Sequence, residues 1–171
     1  MNNIDLFIQK RSQIKLVATD VDGTLTDGGL YLSETGEISK RFTFKDIMGL
    51  ARLKRYGLIV AIISGEKSPI IDIYSKKMNI EDVFQGTRKK KECLIQLSEK
   101  YNISMENICF IGDDINDIPA LEAVGMPVIV NNANYKLKDL AGIFITDAKG
   151  GDGAFRELSD MLIPEDVPAW S

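Results

Sequence analysis

Histidine is absent from the 171-residue chain. That absence excludes Ser-His-Asp and Cys-His catalysis, phosphohistidine chemistry and every zinc site that depends on imidazole. Proton transfer near neutrality then falls to carboxylates, lysine or metal-bound water. Cysteine is nearly as scarce. Cys93 and Cys109 stand in no metal-ligand spacing and read as two reduced, buried thiols of a cytoplasmic protein. Long apolar runs are missing too: the densest, Leu58 to Ile63, is strand length, far below the roughly 20 residues a bilayer requires. The opening MNNIDLFIQKRSQ lacks the basic-then-apolar order of a signal peptide. Nor is there a basic excess, since 21 Lys and Arg against 25 Asp and Glu give a net charge of −4. No basic footprint is left for a nucleic acid.

What remains is ordinary globular composition, with 44% apolar and 27% charged residues, which argues against disorder, collagen and coiled coil. At about 100–200 residues per domain the length predicts one domain, residues 1–171. Apolar strands alternate with amphipathic helices. Strands are expected at Ile14–Ala18, Leu58–Ile63, Asp82–Phe84, Ile108–Ile111, Val128–Val130 and Ile143–Ile145. Helices are expected from an Asp46 cap to Gly57, from Ser68-Pro69 to about Met78, from about Lys89 to Tyr101, from Pro119 to Gly125, and from about Ala154 to Ile163. The pattern predicts an α/β fold, a three-layer, Rossmann-like, doubly wound parallel sheet whose sites lie at the carboxyl ends of its strands. One insert breaks the alternation. Residues 30–44, LYLSETGEISKRFTF, alternate in period two around Thr35-Gly36 and predict a β-hairpin. Its apolar positions Leu30, Leu32, Ile38, Phe42 and Phe44 need cover that a lone hairpin lacks, so it is expected to pack on another subunit. The end, PEDVPAWS at 164–171, reads as a loose tail, with docking of Trp170 on a neighbour as the alternative.

The chemistry begins at Asp20-Val21-Asp22-Gly23-Thr24. In extended backbone, residues two apart point to one side, so both carboxylates face one spot. One can attack phosphorus while the other carries a proton to the leaving oxygen and later takes one from water. Gly23 allows a sharp turn beyond the strand. A second acidic group, Gly112-Asp113-Asp114-Ile115-Asn116-Asp117, follows the strand at Ile108 and forms with the first a site for a hard cation, Mg²⁺ rather than Ca²⁺. Asp117 reads equally as an N-cap before Ile118-Pro119. Ser64-Gly65 offers a hydroxyl and a bare backbone N–H for phosphate oxygens. In Arg88-Lys89-Lys90-Lys91 one lysine must reach the phosphate as a point charge, and the rest read as solvated surface.

Acidic, serine, lysine and acidic motifs in order at strand ends resemble the haloacid dehalogenase superfamily of phosphatases. The resemblance implies Asp20 as nucleophile, Asp22 as general acid/base, and Ser64 with Lys90 as the phosphate-binding pair. It implies Mg²⁺ held by Asp20, Asp113 and the backbone carbonyl of Asp22, and it places Thr24, Gly65 and Asn116 among the phosphate and substrate contacts. The stretches from Asp20 to Ser64 and from Ser64 to Lys90 are too short for a cap domain. In capless members the hairpin and a neighbouring subunit close the site within a tetramer. The segments VDGTLTDGG, GEISKRFTFKD, IISGEKS, FQG, IGDDINDIPALEAVG and KGGDGAFREL span nearly the whole chain. They are similar to phosphatases of 3-deoxy-2-keto sugar acids.

The resemblance therefore implies a cytoplasmic, Mg²⁺-dependent sugar-acid phosphatase working through an aspartyl-phosphate, homotetrameric, with sites shared between subunits. Glu66 stands where octulosonate (KDO) 8-phosphate enzymes usually carry arginine. It is expected to accept hydrogen bonds from a polyol tail, which favours a nine-carbon 9-phosphate, KDN or N-acetylneuraminate, with KDO 8-phosphate as the alternative. Lys77 matches a basic residue that reaches substrate from a neighbouring subunit, whereas Tyr74 occupies a position where arginine is expected. Gly150–Gly153 reads as a connector or as a substrate-adjacent loop. Two non-enzymatic competitors are a phosphoacceptor signalling module and a non-catalytic tetramerising domain. Hydrolysis of a free sugar phosphate separates both from the enzyme.

Overall fold

The computed structural model describes residues 3–164, the side chains of 3, 4, 37 and 38 aside, so the tail with Trp170 lies outside the described residues. The elements in chain order are α1 (Asn3–Arg11), β1 (Leu16–Thr19), β2 (Tyr31–Ser33), β3 (Gly36–Ser39), α2 (Phe44–Arg55), β4 (Ile59–Ile63), α3 (Pro69–Lys77) and β5 (Asp82–Phe84). They continue with α4 (Lys90–Tyr101), β6 (Ile108–Gly112), α5 (Ile118–Leu121), β7 (Met126–Ile129), β8 (Phe144–Ile145) and α6 (Ala154–Leu162). Six strands form one parallel sheet in the order β5-β4-β1-β6-β7-β8, and β2 and β3 stand apart as an antiparallel hairpin.

The centre of the sheet follows from the apolar runs. Every residue of β1 and β6 is buried, as expected for strands covered on both faces. From β1 the chain moves outward through β4 to β5, then returns past β1 to β6. Right-handed crossovers put α2 and α3 on one face and α4 and α5 on the other. The reversal makes the carboxyl ends of β1 and β6 the switch point of the sheet, the place such sheets reserve for ligands. No cap domain interrupts the frame, and among the described residues no helix is long and apolar enough to cross a membrane. Cys93 and Cys109 are buried free thiols.

Several boundaries differ from expectation. Thr43, not Asp46, caps α2: its hydroxyl accepts the Asp46 N–H. Asp46 is buried and serves a longer-range purpose. Its carboxylate accepts the Thr43 hydroxyl at 2.6 Å and the backbone N–H groups of Gly153 and Arg156 at 3.2 and 3.1 Å, so it joins the start of α2 to the start of α6. Ser68 caps α3 as predicted, accepting from Ile70, with Pro69 in the first turn. The helix expected from Pro119 to Gly125 is only one turn, Ile118–Leu121. Helix α1 was not anticipated; its Phe7 is buried against Phe144, ring centroids 4.7 Å apart. In the hairpin region Phe42 leaves the β2–β3 ladder, bridges to Thr26 and stacks on Tyr74 with centroids 4.1 Å apart.

Helices α2 and α6 cross at Gly49. A β-carbon there would lie 2.8 Å from the Arg156 Cα, backbone that cannot swing aside. Alanine normally improves a helix interior by about 1 kcal/mol over glycine, but an overpacked contact costs about 1–3 kcal/mol. Here the clash is expected to win. Thermal unfolding of Gly49→Ala should show a Tm lowered by about 2–10 °C; an unchanged or higher Tm would mean that the helices separate freely.

Candidate active site

Beyond β1 the chain turns sharply because the carbonyl of Val21 accepts the N–H groups of Thr24, Leu25 and Thr26. Asp20 sits just before this turn and continues the ladder, its N–H donating to Ile111 of β6 at 3.0 Å. Gly23 has φ +89°, and a β-carbon there would lie 2.1 Å from the Asp113 carboxylate. Conformation and space both require glycine, and its absence of side chain lets the two acidic loops close on each other.

Lys90, the first residue of α4, brings the second charge. Its side chain is 1% exposed, and Nζ lies 2.9 Å from Asp20 Oδ1 and 2.6 Å from Asp117 Oδ1. Burial alone would lower its pKa, but the flanking carboxylates outweigh burial and raise it. Asp117 Oδ2 accepts the backbone N–H groups of Asp113 and Asp114 at 2.9 and 3.2 Å. The alternative reading of Asp117 as the cap of α5 is therefore corrected: its side chain makes no capping bond there and points back into the site. A β-carbon on Gly112 would lie 2.3 Å from that same carboxylate.

The carboxylate oxygens of Asp20, Asp113 and Asp117 lie within 4.8 Å of one another. One ammonium faces three aspartates, so the cluster carries excess negative charge. Burial raises the Asp20 pKa to about 6 against the pull of Lys90. For Asp113, burial followed by the charges of Asp20 and Asp117 raises it to about 8. A hard divalent cation suits these all-oxygen donors and relieves the repulsion. Thr24 Oγ1 supports the set by donating to Asp113 at 3.3 Å.

The phosphate-binding candidates meet beside this cluster. The Ser64 N–H donates to Phe84, its carbonyl accepts from Thr87, and its Oγ accepts from the N–H of Glu66. These bonds stitch the turn after β4 to the loop that delivers Lys90. Asn116 leans over Gly65, its Nδ2 3.7 Å from where a β-carbon would stand. Glu66 is exposed next to them.

The carboxylates of Asp20 and Asp22 do not share one spot: the third carboxylate of the cluster is Asp117, and the Asp22 side chain turns to Lys40, whose Nζ donates to Asp22 Oδ1 at 2.7 Å. Lys77, expected to serve a neighbouring subunit, lies against Phe44, its ammonium 5.9 Å from the ring centroid. Tyr74 cannot replace a substrate-binding arginine: it is buried in the core, its hydroxyl has no hydrogen-bond partner among the described residues, and burial followed by the charge of Asp46 raises its pKa. The Gly150–Gly153 loop is a buttress. Its Gly151 N–H donates to Thr24 at 2.9 Å, Gly150 N–H to Asn132 at 2.9 Å, and a β-carbon on Gly150 would lie 1.8 Å from the Gly23 carbonyl. Sequence reasoning passed over Lys40. The signal was available, since it shares the extended-chain phase of Ile38 and Phe42, apolar positions where a lysine is out of place.

Comparisons with known proteins converge. A family model described as haloacid dehalogenase-like hydrolase matches residues 37–158. The chain is 37% identical over 155 residues to the 3-deoxy-D-manno-octulosonate 8-phosphate phosphatase of Haemophilus influenzae, covering 91% of this chain and 86% of that protein. It is 36% identical over 156 residues to the same phosphatase of Escherichia coli K12, covering 91% and 82%. Among solved structures, that phosphatase from Moraxella catarrhalis, in complex with magnesium, phosphate and KDO, superimposes with a TM-score of 0.87 at 35% identity over 91% of this chain and 89% of the other. The cobalt-bound Haemophilus influenzae enzyme gives 0.86 at 37%, covering 90% of each.

The raised carboxyls set a pH dependence. Between the ordinary carboxylate range near 3.8 and about 8, the folded chain holds protons that the unfolded chain has released. Stability therefore falls as pH rises through that window. In chelator the Tm should drop from about pH 5 to about pH 8, and Mg²⁺ should raise it more at the higher pH. A flat profile, or equal Mg²⁺ stabilisation at both ends, would contradict a cation site at these carboxylates.

Proposed function

The chain belongs to the haloacid dehalogenase-like hydrolases and is a phosphoric monoester hydrolase acting on a sugar acid. From that premise we propose that it removes the phosphate of 3-deoxy-D-manno-octulosonate 8-phosphate. The observation that carries this reading is the buried Asp20–Lys90–Asp117 group with Asp113 beside it, on a frame shared with the KDO-bound Moraxella catarrhalis enzyme. It replaces the nine-carbon preference that Glu66 suggested, since the curated relatives act on the eight-carbon sugar acid.

Asp20 attacks phosphorus in line as the bond to the sugar oxygen breaks, and Asp22 gives that oxygen its proton. Water then attacks the aspartyl-phosphate, Asp22 takes its proton, and the bond between Asp20 and phosphorus breaks; the sum is sugar acid plus phosphate. Lys90 holds Asp20 in place and, with the Ser64 hydroxyl and the Gly65 N–H, faces the phosphate oxygens. Thr24 steadies Asp113, and Asn116 borders the substrate side of Gly65. Asp20, Asp113 and the Asp22 carbonyl would hold Mg²⁺, which would supply charge screening between phosphate and nucleophile.

A second reading keeps KDN 9-phosphate or N-acetylneuraminate 9-phosphate as substrate, because Glu66 is exposed beside Ser64 and can accept from polyol hydroxyls. Phosphate release with Mg²⁺ decides between them, with Asp20→Asn as the inactive control. KDO 8-phosphate should give the highest kcat/KM, by about tenfold or about 1.4 kcal/mol. A nine-carbon substrate ahead by that margin would transfer the assignment to the second reading.

The reading extends to a cytoplasmic homotetramer with shared sites. Leu30, Leu32 and Phe44 are 48%, 65% and 76% exposed, more apolar surface than a short hairpin region leaves bare without a partner. Lys77, beside Phe44, would then reach a neighbour's substrate. Sedimentation equilibrium should return four times the 19.0 kDa chain mass; the mass of a single chain would end the shared-site idea.

A further inference from the structure

We propose that Lys40 is a positioning residue for Asp22, so that the hairpin orients the carboxyl group serving the sugar's leaving oxygen. The proposal rests on the acid–base reading of Asp22 given above. Lys40 immediately follows β3, and its side chain is 3% exposed. Lysine is seldom buried unless paired, and its partner here is a single oxygen of Asp22 at 2.7 Å. The other oxygen, Oδ2, is buried with no hydrogen-bond partner among the described residues. One oxygen is thus clamped by the hairpin while the other is left unclaimed, in a turn two residues from the nucleophile.

The clamp is stiff because its backbone is tied on both sides. Thr26 and Phe42 form a bridge, which fastens the hairpin's return segment to the turn that carries Asp22. Arg41 Nη1 donates to the Gly151 carbonyl at 3.1 Å and lies 3.4 Å from Asp27 Oδ2. Lys40 therefore approaches Asp22 from backbone already fixed to Asp22's own loop and to the Gly150–Gly153 buttress. Without the ammonium the carboxyl would sample several rotamers, and misplacing a proton donor lowers kcat/KM, which reports the transfer to Asp20 and not the later hydrolysis, only for leaving groups that need the proton. A purely structural ion pair would affect all substrates alike.

The test compares kcat/KM for the best of the three sugar-acid phosphates named above with that for p-nitrophenyl phosphate, whose phenolate departs without protonation. Lys40→Met keeps the buried stem, Lys40→Arg restores a cation, and Asp22→Asn removes the carboxylate; thermal unfolding checks that each variant folds. Lys40→Met should lose about tenfold or more on the sugar phosphate and less than about threefold on the aryl phosphate, with Lys40→Arg recovering much of the loss. Asp22→Asn should show the same selectivity with a larger loss. Equal losses on both substrates in Lys40→Met, or no loss on the sugar phosphate, overturn the role of Lys40 while a selective Asp22→Asn leaves the reading of Asp22 standing. An unselective Asp22→Asn overturns that reading itself. A selective Lys40→Met beside it would mean that Lys40 acts on the leaving oxygen directly, not through Asp22.

Discussion

The buried ammonium of Lys90 is the interaction on which the rest of the site depends. Asp20 and Asp117 are too close together, and too far from water, to be tolerated side by side without it. Through Asp117 the same charge reaches the backbone N–H groups of Asp113 and Asp114. One cation thereby sets the spacing of three chain segments: the end of β1, the start of α4 and the loop after β6. Its neutralisation is incomplete, and the repulsion falls hardest on Asp113, whose carboxyl burial and then the charges of Asp20 and Asp117 push toward the protonated form. A site poised in this way is short of positive charge by design, which is what a cation and a phosphate ester, arriving together, require.

The frame makes this crowding possible. The sheet reverses direction between β1 and β6, and glycine stands wherever a carboxylate or a carbonyl must come within bonding range of another loop. Gly23 yields space to Asp113, Gly112 to Asp117, and Gly150 to the carbonyl of Gly23. Farther out, Asp46 ties α2 to α6 and so fixes the Gly153 end of the buttress. Polar contacts at increasing distance thus hold the nucleophile's turn.

Most of the sheet was legible because buried parallel strands announce themselves as short apolar runs, and Ser68-Pro69 announces a helix start by local chemistry alone. The carboxylates at 20 and 113 and the serine were legible from their places at strand ends, whereas Lys90 was singled out among its basic neighbours only by the family resemblance. Less visible were features decided by tertiary distance. Asp46 looks like a helix cap until α6 arrives to use it, and Asp117 looks like one until Lys90 does. Tyr74 occupies a helix position that sequence register cannot tell from a surface one, and only its stack on Phe42 shows that it faces the core. Helix α1 was missed because its apolar face is weak and its buried anchor, Phe7, finds its partner at Phe144, far along the chain.

The contact between Gly150–Gly151 and the turn beyond Asp20 joins residues far apart in the sequence. A ribosome delivers the nucleophile's turn well before its buttress, and domains generally complete folding as units. Until Lys90, Asp117 and then Gly151 have emerged, Asp20 is an unpaired carboxylate on an unfinished strand. A chain stopped before Gly151 therefore lacks the bond that braces the nucleophile's turn, and the pocket gains its full support only once that loop has been made.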